Sequence, residues 1–318
     1  MLEKKEKALF LRKKNAALNK SGKKDKWVLT SMLLPGVIQT FIFAYLPMFG
    51  LTIAFKDYKY NLGLWGSKWN GLKNFEFILS SNFGVLLRNT LGYNILFIVL
   101  GMLFSIFLAL CLDCIRRKSG IRIFQGSMFL PYFLSWVVVS YISHTLFSYD
   151  TGFINRIITA LGGEKVSFYS EQKYWPFILT FFAIWKSMGY RTLVFYGSIL
   201  GIDSQMYDAA AIDGCNYVQK VWYITLPQLK YSVIILLLLS LGGIFRSDFG
   251  MFYYLPKDAG ILYPVTDTLD TYITRSLRTT GSIGASSAVG FLQSVVGFIT
   301  IVTVNHIVKK MDDECALF

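Results

Sequence analysis

Six stretches of predominantly apolar residues, at 27–55, 84–112, 123–147, 174–200, 228–252 and 283–308, constrain this chain more than any other feature. Each exceeds the roughly 20 residues that a helix rising about 1.5 Å per residue needs to cross a hydrocarbon layer about 30 Å thick. Only 16% of the 318 residues are charged, against the quarter or so usual in a soluble domain. The expected fold class is therefore an all-α membrane protein with six transmembrane helices. The first stretch is too long for a signal-peptide core, and no small-residue cleavage site follows it, so it is expected to stay as a permanent helix interrupted by Pro35 and Pro47.

Charge sets the expected direction. The formal net charge is +13, and the first 26 residues carry ten Lys or Arg against Glu3, Glu6 and Asp25. With the N-terminus inside, the inner segments hold 18 of the 32 basic residues, the outer loops ten, and the spans Arg88, Lys186, Arg191 and Arg246. That excess favours both termini in the cytoplasm of a multi-pass membrane protein. The basic tail suits anionic lipid; no base-stacking module follows it, so nucleic acid is not an expected partner. His144 and His306 are too few for a histidine-rich metal site, and no metal site is expected. The Cys111–Cys114 pair has no second pair to complete it with Cys215 or Cys315, and is read as small apolar filler. All four cysteines fall toward the reducing side, so no disulfide is expected. Trp27, Tyr45, Tyr58, Trp136, Tyr174, Trp175 and Tyr253 lie near predicted interfaces, where their rings suit the headgroup level.

Between the fourth and fifth stretches runs GIDSQMYDAAAIDGCNYVQKVWYITLP, 201–227, neither apolar enough to cross nor polar enough to be a slack linker. Two short helices are expected. Asp203 or Ser204 caps the first, Ala209 to Ala211 favour it, and Gly214 is placed to end it in the left-handed conformation. Asn216 caps the second, whose Val218, Val221, Trp222 and Thr225 form one stripe, and Pro227 is expected to open the fifth span.

This excursion resembles the EAA loop of binding-protein-dependent ABC importer permeases: Glu-Ala-Ala, three residues, Gly, nine residues, Ile, one residue, Leu-Pro. Asp208, Ala209, Ala210, Gly214, Ile224, Leu226 and Pro227 occupy those positions, with Asp in place of Glu as the one departure. The resemblance extends through LLPGVIQTFIFAYLPMFGLTIAFKDY (33–58), GLKNF (71–75), NT (89–90), LPYFLSWVVV (130–139), GFIN (152–155), WKSMGY (185–190), RSDFGMFY (246–253) and TDTLDTYITR (266–275) to the polysaccharide and complex-oligosaccharide branch, similar to the maltose-type permeases. It implies a basic tail (1–26), a permease domain (27–310) with its cytoplasmic coupling loop (201–227), and a C-terminal tail (311–318). It also implies a second related permease, two ATPase subunits binding ATP and Mg, an extracytoplasmic solute-binding protein and a carbohydrate cargo. The chain itself has no Gly-x-x-x-x-Gly-Lys-Ser/Thr sequence, so it is expected to bind no cofactor and to be no enzyme.

Ionisable residues within spans are costly and usually face a cavity or a partner. Lys186, Arg191, Arg246 and Asp248 are read as a rim or lining of the cargo path, hydrogen-bonding sugar hydroxyls or attracting carboxylates, with Lys186, Arg246 and Asp248 as its candidate residues. The alternative is an Arg246–Asp248 brace with Arg191 snorkelling. Two other function classes fit less well: a self-sufficient secondary transporter, for which no internal repeat is visible, and a membrane enzyme, for which the sequence holds no acidic, His or Cys cluster at one depth.

Overall fold

The computed structural model describes residues 26–79, 82–115, 117–279 and 281–311. The basic tail up to residue 25 and the C-terminal tail from 312 lie outside the described residues. Helix α1 (Lys26–Phe55) is followed by a two-stranded hairpin, β1 (Lys56–Asp57) against β2 (Lys68–Trp69), antiparallel with Lys56 opposite Trp69. The long α2 (Phe83–Asp113) follows, then α3 (Lys118–Phe133) and α4 (Trp136–Phe147), bent by 100° at their junction. After the short α5 (Phe153–Ala160) comes α6 (Trp175–Leu200). The chain continues through α7 (Ser204–Ile212), α8 (Tyr217–Gln228), α9 (Lys230–Gly242), α10 (Phe249–Tyr254), α11 (Leu269–Thr279) and α12 (Ile283–Met311).

Among the described residues, α1, α2 and α12 are each long and apolar enough to cross a membrane, and there are up to five spans if the α3–α4 and α8–α9 pairs each count as one. At 26 residues, α6 has the length for a sixth, but it carries Lys186 and Arg191. The third and fifth apolar stretches thus differ from unbroken rods. The third breaks at Leu134 and Ser135, both extended, with Ser135 capping α4 through the Val138 N–H. The fifth stops at Gly242 and resumes as α10 only after Asp248. Pro227, expected to open it, instead sits in the last turn of α8, and the 51° bend falls between Gln228 and Lys230.

Breaks expose carbonyls that lipid cannot satisfy, and at several of them the chain supplies side-chain donors from distant elements. The Lys186 ammonium donates to the Tyr132 and Leu134 carbonyls at 2.9 and 2.6 Å. Asn94 donates to Ile244 and Arg246 beyond α9, and Asn74 to Ala54 and Lys56 at the end of α1. Asn89 and Tyr93 hold the 264–267 segment by its carbonyls, and the Thr90 hydroxyl accepts the Leu269 N–H.

Two of the Leu-Pro steps, Leu46–Pro47 and Leu226–Pro227, share one solution. A π turn at Phe41–Tyr45 precedes Pro47, with Leu46 N–H reaching back five residues to Phe41; another at Val221–Thr225 precedes Pro227, with Leu226 N–H reaching Val221. Proline lacks the N–H of the regular ladder, and the wider register absorbs the fault without a break.

The core lies between α2, α4, α6 and α10, where Trp175, Leu179, Phe182, Val139, Met251 and Leu255 are almost wholly buried. Trp175 is therefore not an interfacial anchor: it is 0% exposed and its indole N–H bonds the Phe168 carbonyl. Gly189 lets α6 rest on α3, since a Cβ there would collide with the Met128 carbonyl. Helix α1, by contrast, leaves nearly all its apolar side chains outward.

Candidate functional site

The 201–227 excursion folds as a capped helix pair. Asp203 caps α7 by accepting the Gln205 N–H. The far end closes through Gly214, at φ +77°, with the Cys215 N–H bonded to Ala210 and the Gly214 N–H to Ala211. This double bond is what a left-handed glycine after a helix supplies. Asn216 then opens α8 in a reciprocal capping box with Gln219. The two helices are tied by Tyr207 and Thr225 hydroxyls 2.9 Å apart, and by Lys220, which donates to the Tyr207 carbonyl. The Tyr217 hydroxyl donates to the Leu110 carbonyl of α2.

Ala210 packs inside this pair and Ile224 and Leu226 are half-buried, while Asp208, Ala209, Gly214 and Pro227 lie on its surface. The expected stripe on α8 divides: Thr225 is buried, but Val218 and Trp222 point outward. Ile212, 88% exposed, and Tyr223, 79% exposed, add to them, so that four large apolar side chains of the pair are left uncovered. Exposed apolar patches mark protein contacts.

A cavity of about 770 Å³ opens where α2, α3, α4, α6 and α10 converge. Lys186 and Asp248 line it; Arg246 does not, and instead donates to the Ser294 hydroxyl at 3.1 Å. No Arg246–Asp248 brace forms. Asp248 caps α10 through the Gly250 and Met251 N–H groups, and its other oxygen accepts the Trp136 indole N–H. A Cβ at Gly250 would press on the Trp136 ring, so this glycine admits the indole. The Lys186 ammonium lies 5.3 Å from the Trp136 ring and 5.7 Å from that of Tyr132, both within cation–π range.

Arg191, read above either as part of the rim or as snorkelling, lines the cavity and reaches across to the Phe97 carbonyl at 3.1 Å. The signal was in the spacing: Ala183, Lys186, Ser187 and Arg191 recur at i, i+3, i+4 and i+8, one stripe of α6. A second polar assembly, at the end of the molecule where α11 lies, went unpredicted. Asp270 accepts from the Ser247 N–H and hydroxyl and from Gln293, while Asp267 makes a bidentate pair with Arg275 at 2.7 and 2.9 Å. Burial pulls the Arg275 pKa down, but the Asp267 carboxylate more than offsets it, and the guanidinium stays charged. The TDTLDTYITR spacing, with acids three apart and Arg eight after the first, was the available clue.

Residues 101–313 match the family of the binding-protein-dependent transport system inner membrane component. The chain is 38% identical over 293 residues to protein LplB of Bacillus subtilis (strain 168), covering 92% of this chain and 91% of that protein. It is 34% identical to the polygalacturonan/rhamnogalacturonan transport system permease protein YteP of the same organism, covering 89% and 88%. Its fold is similar, with a TM-score of 0.81 and 29% identity, to a chain of a bacterial alginate ABC transporter solved in complex with an alginate pentasaccharide-bound periplasmic protein, covering 91% of this chain and 96% of that one. With its helices, its capped excursion and these matches in agreement, the chain belongs to the family of inner membrane components of binding-protein-dependent transport systems.

Proposed function

We propose that this chain is one of two related permease subunits of an ATP-driven importer that passes oligosaccharides or polysaccharide fragments delivered by an extracytoplasmic solute-binding protein. Two ATPase subunits bind ATP and Mg and supply the work; this chain supplies the path and the lever. Six crossings are assigned to α1, α2, the α3–α4 pair, α6, the α9–α10 region and α12, with both termini in the cytoplasm. The inside-positive charge distribution supports that direction. The cargo class is supported by relatives whose names specify polygalacturonan/rhamnogalacturonan and arabinooligosaccharides, and by the alginate transporter.

The observation that carries the reading is the uncovered apolar face of Ile212, Val218, Trp222 and Tyr223 on the helix pair. Such a face docks on an ATPase subunit, and because α7 continues from α6 and α8 leads into α9, closure of the ATPases tilts the helices around the cavity. Asp208, Ala209, Ala210, Gly214, Ile224, Leu226 and Pro227 shape the lever. The test is co-purification of the assembled importer. Trp222 is 64% exposed, so Trp222→Asp leaves this chain's yield and folding intact. It is expected to lower the co-purifying ATPase by roughly tenfold or more, as loss of an aromatic anchor does. Wild-type ATPase recovery and wild-type uptake by that variant would overturn the lever.

A further inference from the structure

Resting on the importer reading, we propose that the cavity selects acidic sugars and that Arg191 is the residue that binds their carboxylates. The cavity wall holds two cations, Lys186 and Arg191, and one anion, Asp248. Asp248 is already engaged, its oxygens accepting from Trp136 and from the α10 N-terminus. Lys186 is spent on the carbonyls at the α3–α4 break. Arg191 differs from both. Its hydrogen bond is to the single Phe97 carbonyl, through one of five N–H donors, and among the described residues no carboxylate lies within ion-pair distance.

The position is built for the guanidinium. A Cβ at Gly101 of α2 would collide with Arg191 Nη1, so the glycine leaves the notch in which the planar group lies. Phe97 and Ile98 of α2 and Ser187 of α6 wall the same space. An arginine held in a low-dielectric cavity without an acid of its own is a site for a ligand that brings one, and the fork of donors matches a carboxylate bidentately. A uronic-acid unit carries that group beside hydroxyls that can donate to the Asn94 side-chain oxygen and the Ser135 and Ser240 hydroxyl oxygens along the wall. A neutral sugar leaves the charge uncompensated at a desolvation cost.

The test uses the complete importer, with both permeases, ATPases and solute-binding protein, in proteoliposomes, offered labelled trigalacturonate or the same trimer with its carboxylates reduced to primary alcohols. The expected result is that wild type prefers the acid and that Arg191→Met lowers acid uptake by about tenfold or more while leaving uptake of the reduced trimer unchanged. Arg191→Lys, which keeps the charge but not the fork, is expected to fall between them. Wild-type discrimination by Arg191→Met, or preference of the wild type for the reduced trimer, would overturn the assignment while leaving the importer intact. Equal loss of both trimers together with loss of the second permease would place Arg191 at the subunit contact and overturn it too. ATP hydrolysis with uptake of no oligosaccharide by wild type would instead sink the importer reading on which the assignment stands.

Discussion

At Gly214 the backbone holds φ at +77° with no atom within 4 Å of where a Cβ would sit, so any defect of a substitution there is conformational, not steric. Asn visits the left-handed region readily, whereas a β-branched residue pays about 1–2 kcal/mol or more to do so. Gly214→Asn is therefore expected to retain ATPase association and uptake, and Gly214→Val to lose most of both; equal behaviour of the two would show that the left-handed turn is not what the lever requires. Much of this was legible in the residues themselves. Asp203, Gly214 and Asn216 each act within a few positions of their own place in the chain, so local chemistry announces their roles. Lys186 could not be read that way. Its ionic character identified it as unusual within a span, but its partners are carbonyls 52 and 54 residues earlier, at the α3–α4 break. Arg246 misled for the same reason: proximity to Asp248 in sequence suggested a pair, while α12 offered Ser294 in space.

Elements show the same division. The continuous helices α1, α2, α6 and α12 follow from unbroken apolar runs. The bent pairs do not; at the α3–α4 bend the carbonyls of Tyr132 and Leu134 are satisfied by Lys186 from elsewhere in the fold, and hydropathy does not encode where that donor will stand. The hairpin at 148–166, proposed to lie on the outer face, makes the cost measurable. Asn155 is 1% exposed; its amide donates to the Ser148, Tyr149 and Val166 carbonyls, and its oxygen accepts the Val166 N–H. Truncation leaves several backbone groups unpaired, at about 1–3 kcal/mol for the group. Asn155→Ala is expected to speed cleavage within 148–166 by protease added to the outer face, with the capped excursion at 201–227 unaffected. An unchanged cleavage rate would mean that the hairpin is held by its aromatic contacts, among them Phe147 on Phe168, instead.

For the whole molecule, two features fit into one device because α6 belongs to both. It carries the Lys186–Arg191 stripe past the cavity and delivers the chain directly into α7, while α8 returns into α9, which contributes Ser240 to the same cavity wall. The Ser198 and Ser232 hydroxyls, 2.6 Å apart, join the two limbs just above the excursion. On the proposed reading, a rotation of the helix pair would act on both walls together, so that a motor bound at one end opens and closes a path at the other. The sidedness and docking of the pair carry the whole account. In a variant with Cys111, Cys114, Cys215 and Cys315 replaced by Ala, a single Ile212→Cys probe reports both through a membrane-impermeant maleimide. The account predicts labelling in inverted vesicles stripped of ATPase, protection when the ATPases are restored, and no labelling of intact cells from outside; labelling of intact cells, or none of the protection, would contradict it.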